Sequence, residues 1–443
     1  MMKKNIMVFV CFFLWVTASS AIGADDWKEH REHWLDKLPG SGASAPKRND
    51  NAENLVDELR FRSLKDMHKL RNGQISGQPW SDFYWPFYMG TIANRYADPQ
   101  FPASMDWFAN QTYLNEQLGR GDLLKFSPAE KYDLLIGDKN FTLTKLMINY
   151  GKPYHERENK VATWMGLCDG WAVASFMESR PAKPVEVIGV NGDRILFYPS
   201  DIKALTTLLW AKGRFRIRFI GGRCNIQKPE RDSNGRPVDP DCLDNNPGTW
   251  HLAVVNQIGH SKRSFIFDTT YDLEVWNQPV LSYSYFYLHP KTGKKVNSIS
   301  SAIFPITSDD PIRHLRAPTA VSLVKILMNV TYLAERPPTT LPDSPRLDMK
   351  RFAIYKYELE LDDKGEIVGG EWLQEKRPDF LWVPPVGMKA KSVGDYRLDR
   401  IRDNSQWELS QPLPQAWKEP AMISSRSSQP LGRIVERLLE FSK

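Results

Sequence analysis

The pattern of apolar and polar positions along the chain predicts a mixture of helices and strands. Residues 127–130 (Ser-Pro-Ala-Glu) have the capping-box pattern with proline at the first helical position, and they should open a helix that runs through residue 136. A second helix is predicted over 170–178, where it begins near Cys168. A third is predicted over 201–210.

Strand patterns, rich in β-branched and aromatic residues, occupy 215–220, 250–258 and 264–269. Farther along, 352–361 and 366–372 alternate on either side of a short polar turn, which predicts a hairpin. A helix that begins near a cysteine and is followed by antiparallel strands is typical of the α+β fold class.

The N-terminus has the three-part layout of a secretory signal peptide over residues 1–24. Lys3 and Lys4 precede the apolar run 6–16, and small residues follow at 21–23. The apolar run is shorter than the ~20 residues that a membrane-spanning helix needs, and no other stretch approaches that length. We therefore expect a secreted protein, periplasmic or extracellular, that does not contact the membrane after cleavage.

Composition and charge exclude several classes of protein. Apolar residues make up 41% of the chain and aromatic residues 12%, which is enough for a packed core and argues against disorder or coiled coil. The formal net charge is +6, but lysine and arginine alternate with aspartate and glutamate along the whole chain. Because no basic stripe with interleaved aromatic residues occurs, we expect no nucleic-acid partner.

The cysteines leave one thiol without a partner. Cys11 departs with the signal peptide, so Cys168, Cys224 and Cys242 remain. Cys224 and Cys242 are 18 positions apart and bracket a polar loop, which predicts a disulfide in an oxidising compartment. Cys168 is then either an inert buried thiol or a nucleophile.

The place of Cys168 at the start of a predicted helix favours the nucleophile. An ordinary cysteine has a pKa of ~8.5, and the partial positive charge of a helix N-terminus favours the thiolate. The free N–H groups there can also bind the oxyanion of an acyl intermediate.

Of the eight histidines, His251 alone lies within a strongly apolar segment, and it is the candidate base. Asp268 closes the next apolar run and is the candidate residue that orients the imidazole. If both stand on neighbouring strands, a turn of two or four residues puts them on one face, and a turn of three or five separates them. A core histidine with no catalytic role is the alternative interpretation.

Several stretches together resemble the secreted transglutaminases of the oomycete elicitor type and their bacterial relatives. These stretches are SPAEKYDLLIGD (127–138), GLCDGWAVASF (166–176), DNNPGTWHLAVVN (244–256), FDTTYDLEVWNQPV (267–280) and GGEWLQEKRPDFLW (369–382). The resemblance implies a papain-like or transglutaminase-like core, with the nucleophile at a helix N-terminus packed on an antiparallel sheet. It also implies Cys168 as nucleophile, His251 as base and Asp268 as orienting residue.

Two positions indicate whether the chain resembles papain-type enzymes or transglutaminases more closely. Papain-type enzymes have tryptophan directly after the nucleophile, whereas here Trp171 follows three positions later. Asp268 stands where papain has asparagine, which favours the transglutaminase pattern.

The chemistry that the resemblance implies is acyl transfer from protein-bound glutamine, through a thioester, to lysine or another amine, or to water. The protein substrates would carry glutamine and amines. Trp164, Trp171 and Trp250 are candidates for a tunnel that excludes water, with ordinary packing as the alternative. A papain-like peptidase and a catalytically inactive elicitor or binding module are the alternative functions.

The expected organisation follows from these assignments. After the signal peptide come an N-terminal helical segment and linker (25–78), the catalytic core (79–310), a C-terminal part of the core with the hairpin (311–390), and a tail with a last helix (391–443). No cofactor or metal is expected. Calcium at the aspartate-rich loop 232–244 is a less favoured interpretation, because the loop lacks the EF-hand spacing.

Overall fold

The computed structural model describes residues 50–224, 226, 228–233, 236–239, 242, 245–269 and 273–443. The predicted signal peptide lies outside these residues, as do residues 25–49 of the predicted N-terminal helical segment and linker.

The helices of the described part are distributed along the whole chain. They are α1 (Leu64–Met67), α2 (Trp107–Gln117), α3 (Pro128–Ile136), α4 (Thr142–Ile148), α5 (Lys152–Glu158), α6 (Cys168–Met177), α7 (Pro199–Lys212), α8 (Pro247–Val254), α9 (Val393–Arg400), α10 (Gln415–Arg426) and α11 (Gly432–Phe441). A π-helical turn, Val255–His260, continues α8. Short 3₁₀ turns lie at Ala52–Asn54, His68–Leu70, Phe87–Met89, Thr91–Ala93, Leu123–Lys125, Arg313–Leu315 and Pro345–Leu347.

The strands form one large antiparallel sheet and a separate hairpin. They are β1 (Asn72–Gln74), β2 (Val185–Ile188), β3 (Arg194–Phe197), β4 (Arg218–Gly221), β5 (Ile266–Asp268), β6 (Asn277–Leu288), β7 (Lys295–Val296), β8 (Ile303–Pro305), β9 (Ser322–Ala334), β10 (Met349–Leu361), β11 (Ile367–Trp372) and β12 (Phe380–Val383). The large sheet has the order β11-β10-β9-β6-β5-β12-β4, with β1 and β7 paired to β6 and β8 paired to β9. Strands β2 and β3 form the hairpin. This combination of helices with an antiparallel sheet is an α+β fold, as predicted.

The sheet separates two hydrophobic cores. The first core contains Cys168 and Trp171 of α6 together with much of α3 and α7, and the second contains Trp250 of α8 and the interior of the curled sheet. In β5, Ile266 belongs to the first core and the next residue, Phe267, to the second. Since side chains alternate along a strand, the two cores lie on opposite faces of β5.

Several predicted elements are confirmed. Ser127 and Glu130 form the reciprocal capping box at the start of α3, with the Ser127 N–H donating to the Glu130 carboxylate at 3.0 Å. Helix α6 begins at Cys168, as its sequence indicates. Strands β10 and β11 form the predicted hairpin.

The predicted strand over 250–258 is wrong, because this segment is helix α8 and the π-helical turn after it. Asn246 caps the helix by accepting a hydrogen bond from the Gly248 N–H at 2.8 Å. Pro247 occupies the first helical position, where its fixed φ and missing N–H favour a helix start. These two local signals outweigh the β-propensity of the apolar run that follows.

The two ends of the described chain pack on different cores. Residues 52–67 contribute to the second core, and β1 pairs with β6. The C-terminal helices contribute to the first core, where the Leu431 N–H donates to the Tyr132 hydroxyl at 2.7 Å. The domain boundaries at 79, 311 and 391 stay a prediction. Within the described residues, no helix is both long and apolar enough to cross a bilayer.

Candidate active site

Close packing around two glycines holds Cys168 at the start of α6. A Cβ on Gly166 would lie 2.4 Å from the Tyr84 carbonyl oxygen, and one on Gly170 would lie 2.2 Å from the Thr207 carbonyl oxygen. The first turn of α6 is therefore wedged between the aromatic segment at 80–85 and helix α7. Cys168 is the free cysteine of the described chain, and only 5% of its surface is exposed.

The first residues of β6 and those just before it surround the thiol. The Cys168 thiol donates to the Val275 carbonyl oxygen at 3.7 Å, and the Asn277 side-chain amide donates to Sγ at 3.5 Å. The Asn277 backbone N–H also donates to the sulfur. On the other side of the amide, the Trp382 indole N–H donates to Oδ1 of Asn277 at 2.8 Å. Asn277 and Trp382 are both 4% exposed.

Burial decides the protonation state of the thiol. Burial, together with the neighbouring Asp169 carboxylate, raises the pKa of Cys168 to about 12, even though the two Asn277 donors act to lower it. Asp169 accepts hydrogen bonds from its own backbone N–H and that of Gly170, so its carboxyl group occupies the helix N-terminus, and burial raises the pKa of this group. The expectation of a thiolate favoured by the helix dipole is therefore wrong for this state, because desolvation and Asp169 outweigh the dipole.

Asp268 lies on the same side of the sheet as the thiol. It ends β5 and is directly paired with Asn277 of β6. By alternation it shares the face of Ile266, which belongs to the first core with Cys168. The Arg223 guanidinium lies near these groups. Burial lowers its pKa, and the negative charges of Asp379, Asp268 and Cys168 offset part of that lowering.

His251 is on the other side of the sheet, so its predicted role as base to Cys168 is not supported by the geometry. Its Nδ1 shares a hydrogen bond of 2.8 Å with the Tyr357 hydroxyl, and its ring packs edge-on against Tyr285 at 4.7 Å. Both tyrosines belong to the second core. Burial lowers the pKa of His251 to about 3. This environment agrees with the alternative interpretation, a core histidine with no catalytic role, in which Nδ1 is hydrogen-bonded and the buried Nε2 has no partner in the described structure.

No other histidine in the described part of the chain takes its place. His68 bonds Tyr287, His155 packs on Trp107, and His260 pairs with Glu58. His289 accepts hydrogen bonds from two nearby backbone N–H groups, and His314 is exposed in a 3₁₀ turn. Among these residues and His251, none is a hydrogen-bond partner of Cys168, whereas His30 and His33 lie outside the described residues.

Of the three tryptophans predicted to form a tunnel, Trp164 and Trp171 lie in the first core with Cys168, and Trp250 does not. Trp250 lies in the second core, on the opposite face of the sheet. Trp171 is fully buried and donates its indole N–H to the Trp80 carbonyl oxygen at 3.1 Å. Trp164 is half-buried at the edge of the first core.

A different aromatic pair lies beside the thiol. The rings of Tyr84 and Trp276 contact edge to face with centroids 5.4 Å apart. Trp276 stands between the two residues that contact Sγ, and the Tyr84 carbonyl oxygen accepts the Leu167 N–H at 2.5 Å. These two half-buried rings therefore lie beside Cys168, whereas a tunnel role for Trp164 and Trp171 stays a prediction.

The comparisons with known proteins agree with this architecture. The model of the transglutaminase elicitor family matches residues 153–400, more than half of the chain. The chain belongs to the transglutaminase elicitor family. The crystal structure of the GP42 transglutaminase from Phytophthora sojae matches with a TM-score of 0.51 and 21% identity, covering 83% of this chain and 94% of that one. At this identity the match shows the fold alone. A comparison with curated proteins finds no match.

The matched region of this transglutaminase elicitor protein includes the predicted disulfide, which is confirmed. Cys224 and Cys242 are bonded, with their Cα atoms 4.4 Å apart. The Cys224 N–H donates to both carboxylate oxygens of Asp379, at 3.1 and 3.3 Å. The disulfide therefore lies next to Arg223, whose guanidinium interacts with the Cys168 thiol.

Asn277 and Trp382 contact the site but are not among the residues predicted for it, although both lie in stretches that resemble the family. The signal was a pair of amide side chains, Asn277 and Gln278, at the start of a strand rich in apolar and aromatic residues, where a buried amide needs a hydrogen-bond partner. Trp382 carried no separate signal, since a buried tryptophan on a strand is ordinary packing.

The described part of the chain contains no group of three or more histidine, cysteine, aspartate or glutamate side chains arranged to hold a metal ion. Two aspartates of the predicted calcium loop, Asp241 and Asp244, lie outside the described residues. Calcium at this loop stays an untested interpretation.

Proposed function

We propose that this protein is a secreted protein-glutamine γ-glutamyltransferase in which Cys168 forms the acyl-enzyme thioester. The observation that carries the proposal is the environment of its thiol, which sits at the first residue of α6 with the Asn277 amide donating to it at 3.5 Å. Membership of the transglutaminase elicitor family supports the same chemistry.

In the proposed reaction, Sγ attacks the γ-carboxamide carbon of a protein-bound glutamine, the thiol proton goes to the departing nitrogen, and ammonia leaves. A primary amine then attacks the thioester, releases the thiol and forms an isopeptide bond, whereas water in its place gives glutamate. Because burial keeps the thiol protonated at neutral pH, its proton must leave as the C–S bond forms.

We assign the transfer of that proton to Asp268, although the predicted base is His251. Support comes from its pairing with Asn277, which contacts the sulfur. Support also comes from its burial on the thiol side of the sheet.

The decisive experiment incubates the protein with a glutamine-containing peptide and a labelled primary amine, and measures released ammonia and incorporated label. We expect both products from the wild type and neither from Cys168→Ala. Circular dichroism should show that the variant is folded. A wild type that yields neither product, or a Cys168→Ala variant that keeps either, would overturn the proposal.

A catalytically inactive binding module is the second candidate, favoured by one observation. The raised pKa of Cys168 and the absence of a histidine among its partners in the described structure are what an unused buried thiol would show. The same incubation separates the two candidates, since a binding module produces no ammonia at any pH. A papain-like peptidase would instead shorten the peptide, which mass spectrometry of the product detects.

Secretion is part of the proposal. A disulfide between Cys224 and Cys242 supports an oxidising compartment, and residues 1–24 have the signal-peptide pattern. Expression in a bacterial host, followed by N-terminal sequencing of the exported protein, should give a mature chain that begins near Asp25.

A further inference from the structure

The orientation of the Asn277 amide is set by a partner that can only donate. An indole N–H is a donor with no acceptor capacity, so the group that bonds it at 2.8 Å must be the Asn277 carbonyl oxygen rather than its NH₂. The NH₂ end is thereby turned towards Sγ, 3.5 Å away. A flipped amide would bring two donors together at Trp382 and would leave the thiol facing an oxygen.

The sheet holds both members of this pair in place. Trp382 is on β12 and pairs with Ile266 of β5, while Asn277 begins β6 on the other side of β5. Because both side chains are buried, losing their hydrogen bond would leave a polar group without water as a replacement. The amide is therefore fixed in one orientation before any substrate arrives.

We propose that Asn277 is the side-chain donor of an oxyanion hole for acyl intermediates on Cys168, and that Trp382 is the positioning residue that orients it. This role rests on the proposed function. When Sγ attacks a carboxamide, negative charge develops on an oxygen bonded to the same carbon as the sulfur, and a donor at 3.5 Å from Sγ lies within reach of that oxygen. The Cys168 backbone N–H, at the first position of α6, has no partner within the helix and is the second donor.

The first test measures kcat and KM for ammonia release from the glutamine peptide. We expect Asn277→Ala to lower kcat by about 10²-fold or more, with KM changed less than about threefold, as for other oxyanion-hole side chains. Trp382→Phe keeps the ring but removes the N–H, and should lower kcat about tenfold. Trp372→Phe is the matched control, since its indole donates to the Asn245 carbonyl oxygen at 2.9 Å, and it should keep wild-type kinetics.

The double variant Asn277→Ala/Trp382→Phe shows whether Trp382 acts through Asn277. If it does, the double variant is no slower than Asn277→Ala alone, whereas independent structural effects would multiply. A multiplied loss would overturn the role of Trp382. A kcat within about threefold of the wild type for Asn277→Ala would overturn the role of Asn277.

A second measurement does not depend on turnover. The probe is a peptide that carries an aldehyde in place of the glutamine carboxamide. The thiol adds to the aldehyde carbonyl, which forms a C–S bond and puts the thiol proton on the carbonyl oxygen. That oxygen then occupies the proposed oxyanion hole. Asn277→Ala should weaken aldehyde binding about 10²-fold and leave binding of the matching alcohol unchanged. An equal loss for both ligands would indicate a merely structural role and would overturn the inference.

The outcomes separate the two levels of the proposal. A wild type that releases no ammonia overturns the proposed function, and with it this role. A wild type that releases ammonia, with variants that keep its rate and its aldehyde affinity, overturns only the role of Asn277 and Trp382.

Discussion

At the scale of single residues, burial outweighs the local electrostatic signals at the thiol. The start of a helix favours an anion, yet desolvation and Asp169 raise the pKa of Cys168 to about 12. The position of the cysteine on the helix could be predicted from sequence. Its protonation could not, because it depends on what covers the thiol, and that covering comes from segments around residues 84 and 276, far away in the chain.

The raised pKa predicts how the thiol reacts with iodoacetamide. Because only the thiolate reacts, the alkylation rate of Cys168 should increase about tenfold per pH unit from pH 7 to 9, without a plateau. The urea-unfolded chain is the control, and its rate should level off above the ordinary thiol pKa of ~8.5. A plateau below pH 8 in the folded protein would contradict the described environment.

The buried His251 predicts a loss of stability in acid. Its pKa is lowered to about 3 in the folded chain, whereas an unfolded histidine titrates near ~6.5, so between these values the unfolded state binds the extra proton. The free energy of unfolding should therefore fall as the pH drops below ~6.5. Urea unfolding of His251→Gln between pH 7 and 4 should show a shallower decline.

His314→Gln is the control for this experiment, since His314 is exposed, and it should keep the wild-type dependence. Equal slopes for His251→Gln and the wild type would show that another group causes the acid sensitivity.

At the scale of elements, local signals predicted helices and one hairpin well. The capping box of α3 and the start of α6 follow from a few adjacent residues, as does the turn between β10 and β11. The apolar run of helix α8 wrongly predicts a strand, and the Asn-Pro start at 246–247 is the local signal that indicates the helix. A run of apolar residues does not by itself distinguish a buried helix from a buried strand.

The contact between α6 and α7 gives a prediction for Gly170. Alanine in place of a helical glycine ordinarily stabilises by about 1 kcal/mol. Here the added Cβ would lie 2.2 Å from the Thr207 carbonyl oxygen and 2.7 Å from the Ala211 Cβ, so steric overlap should dominate. We expect Gly170→Ala to lower the free energy of unfolding by about 2 kcal/mol, measured in urea.

Gly77→Ala is the matched control, because no atom lies within 4 Å of its added Cβ. It should change stability by less than about 0.5 kcal/mol. A Gly170→Ala variant as stable as Gly77→Ala would show that α6 and α7 can separate without cost.

At the scale of the whole molecule, the sheet separates two hydrophobic cores, and this separation explains which site residues could be predicted. Cys168 and Asp268 reach the same face because β5 and β6 pair in a register that puts Asp268 opposite Asn277. His251 reaches the other face because α8 packs into the second core. Which side of a sheet a helix covers depends on the path of the whole chain, so no local pattern around His251 could show it.

The disulfide gives the last prediction, because it connects the stability of the fold to the site. Closing a loop of 18 residues should contribute about 3 kcal/mol in the chain-entropy model. Replacing both Cys224 and Cys242 by serine should therefore lower the urea midpoint of unfolding. It should also lower the rate of ammonia release, since the Cys224 N–H holds the Asp379 carboxylate next to Asp268 and Arg223.

Wild-type protein treated with a reductant is the control for that variant, and the two should unfold at the same urea concentration. Reduction breaks the same disulfide without replacing a side chain. Equal unfolding midpoints for the reduced wild type and the variant would therefore show that the loss of stability comes from the missing covalent bond. If the variant loses stability but keeps its rate of ammonia release, the loop serves the fold alone. In that case the arrangement of Arg223 and Asp379 beside the thiol does not depend on the disulfide, and β12 and β4 are sufficient to hold it.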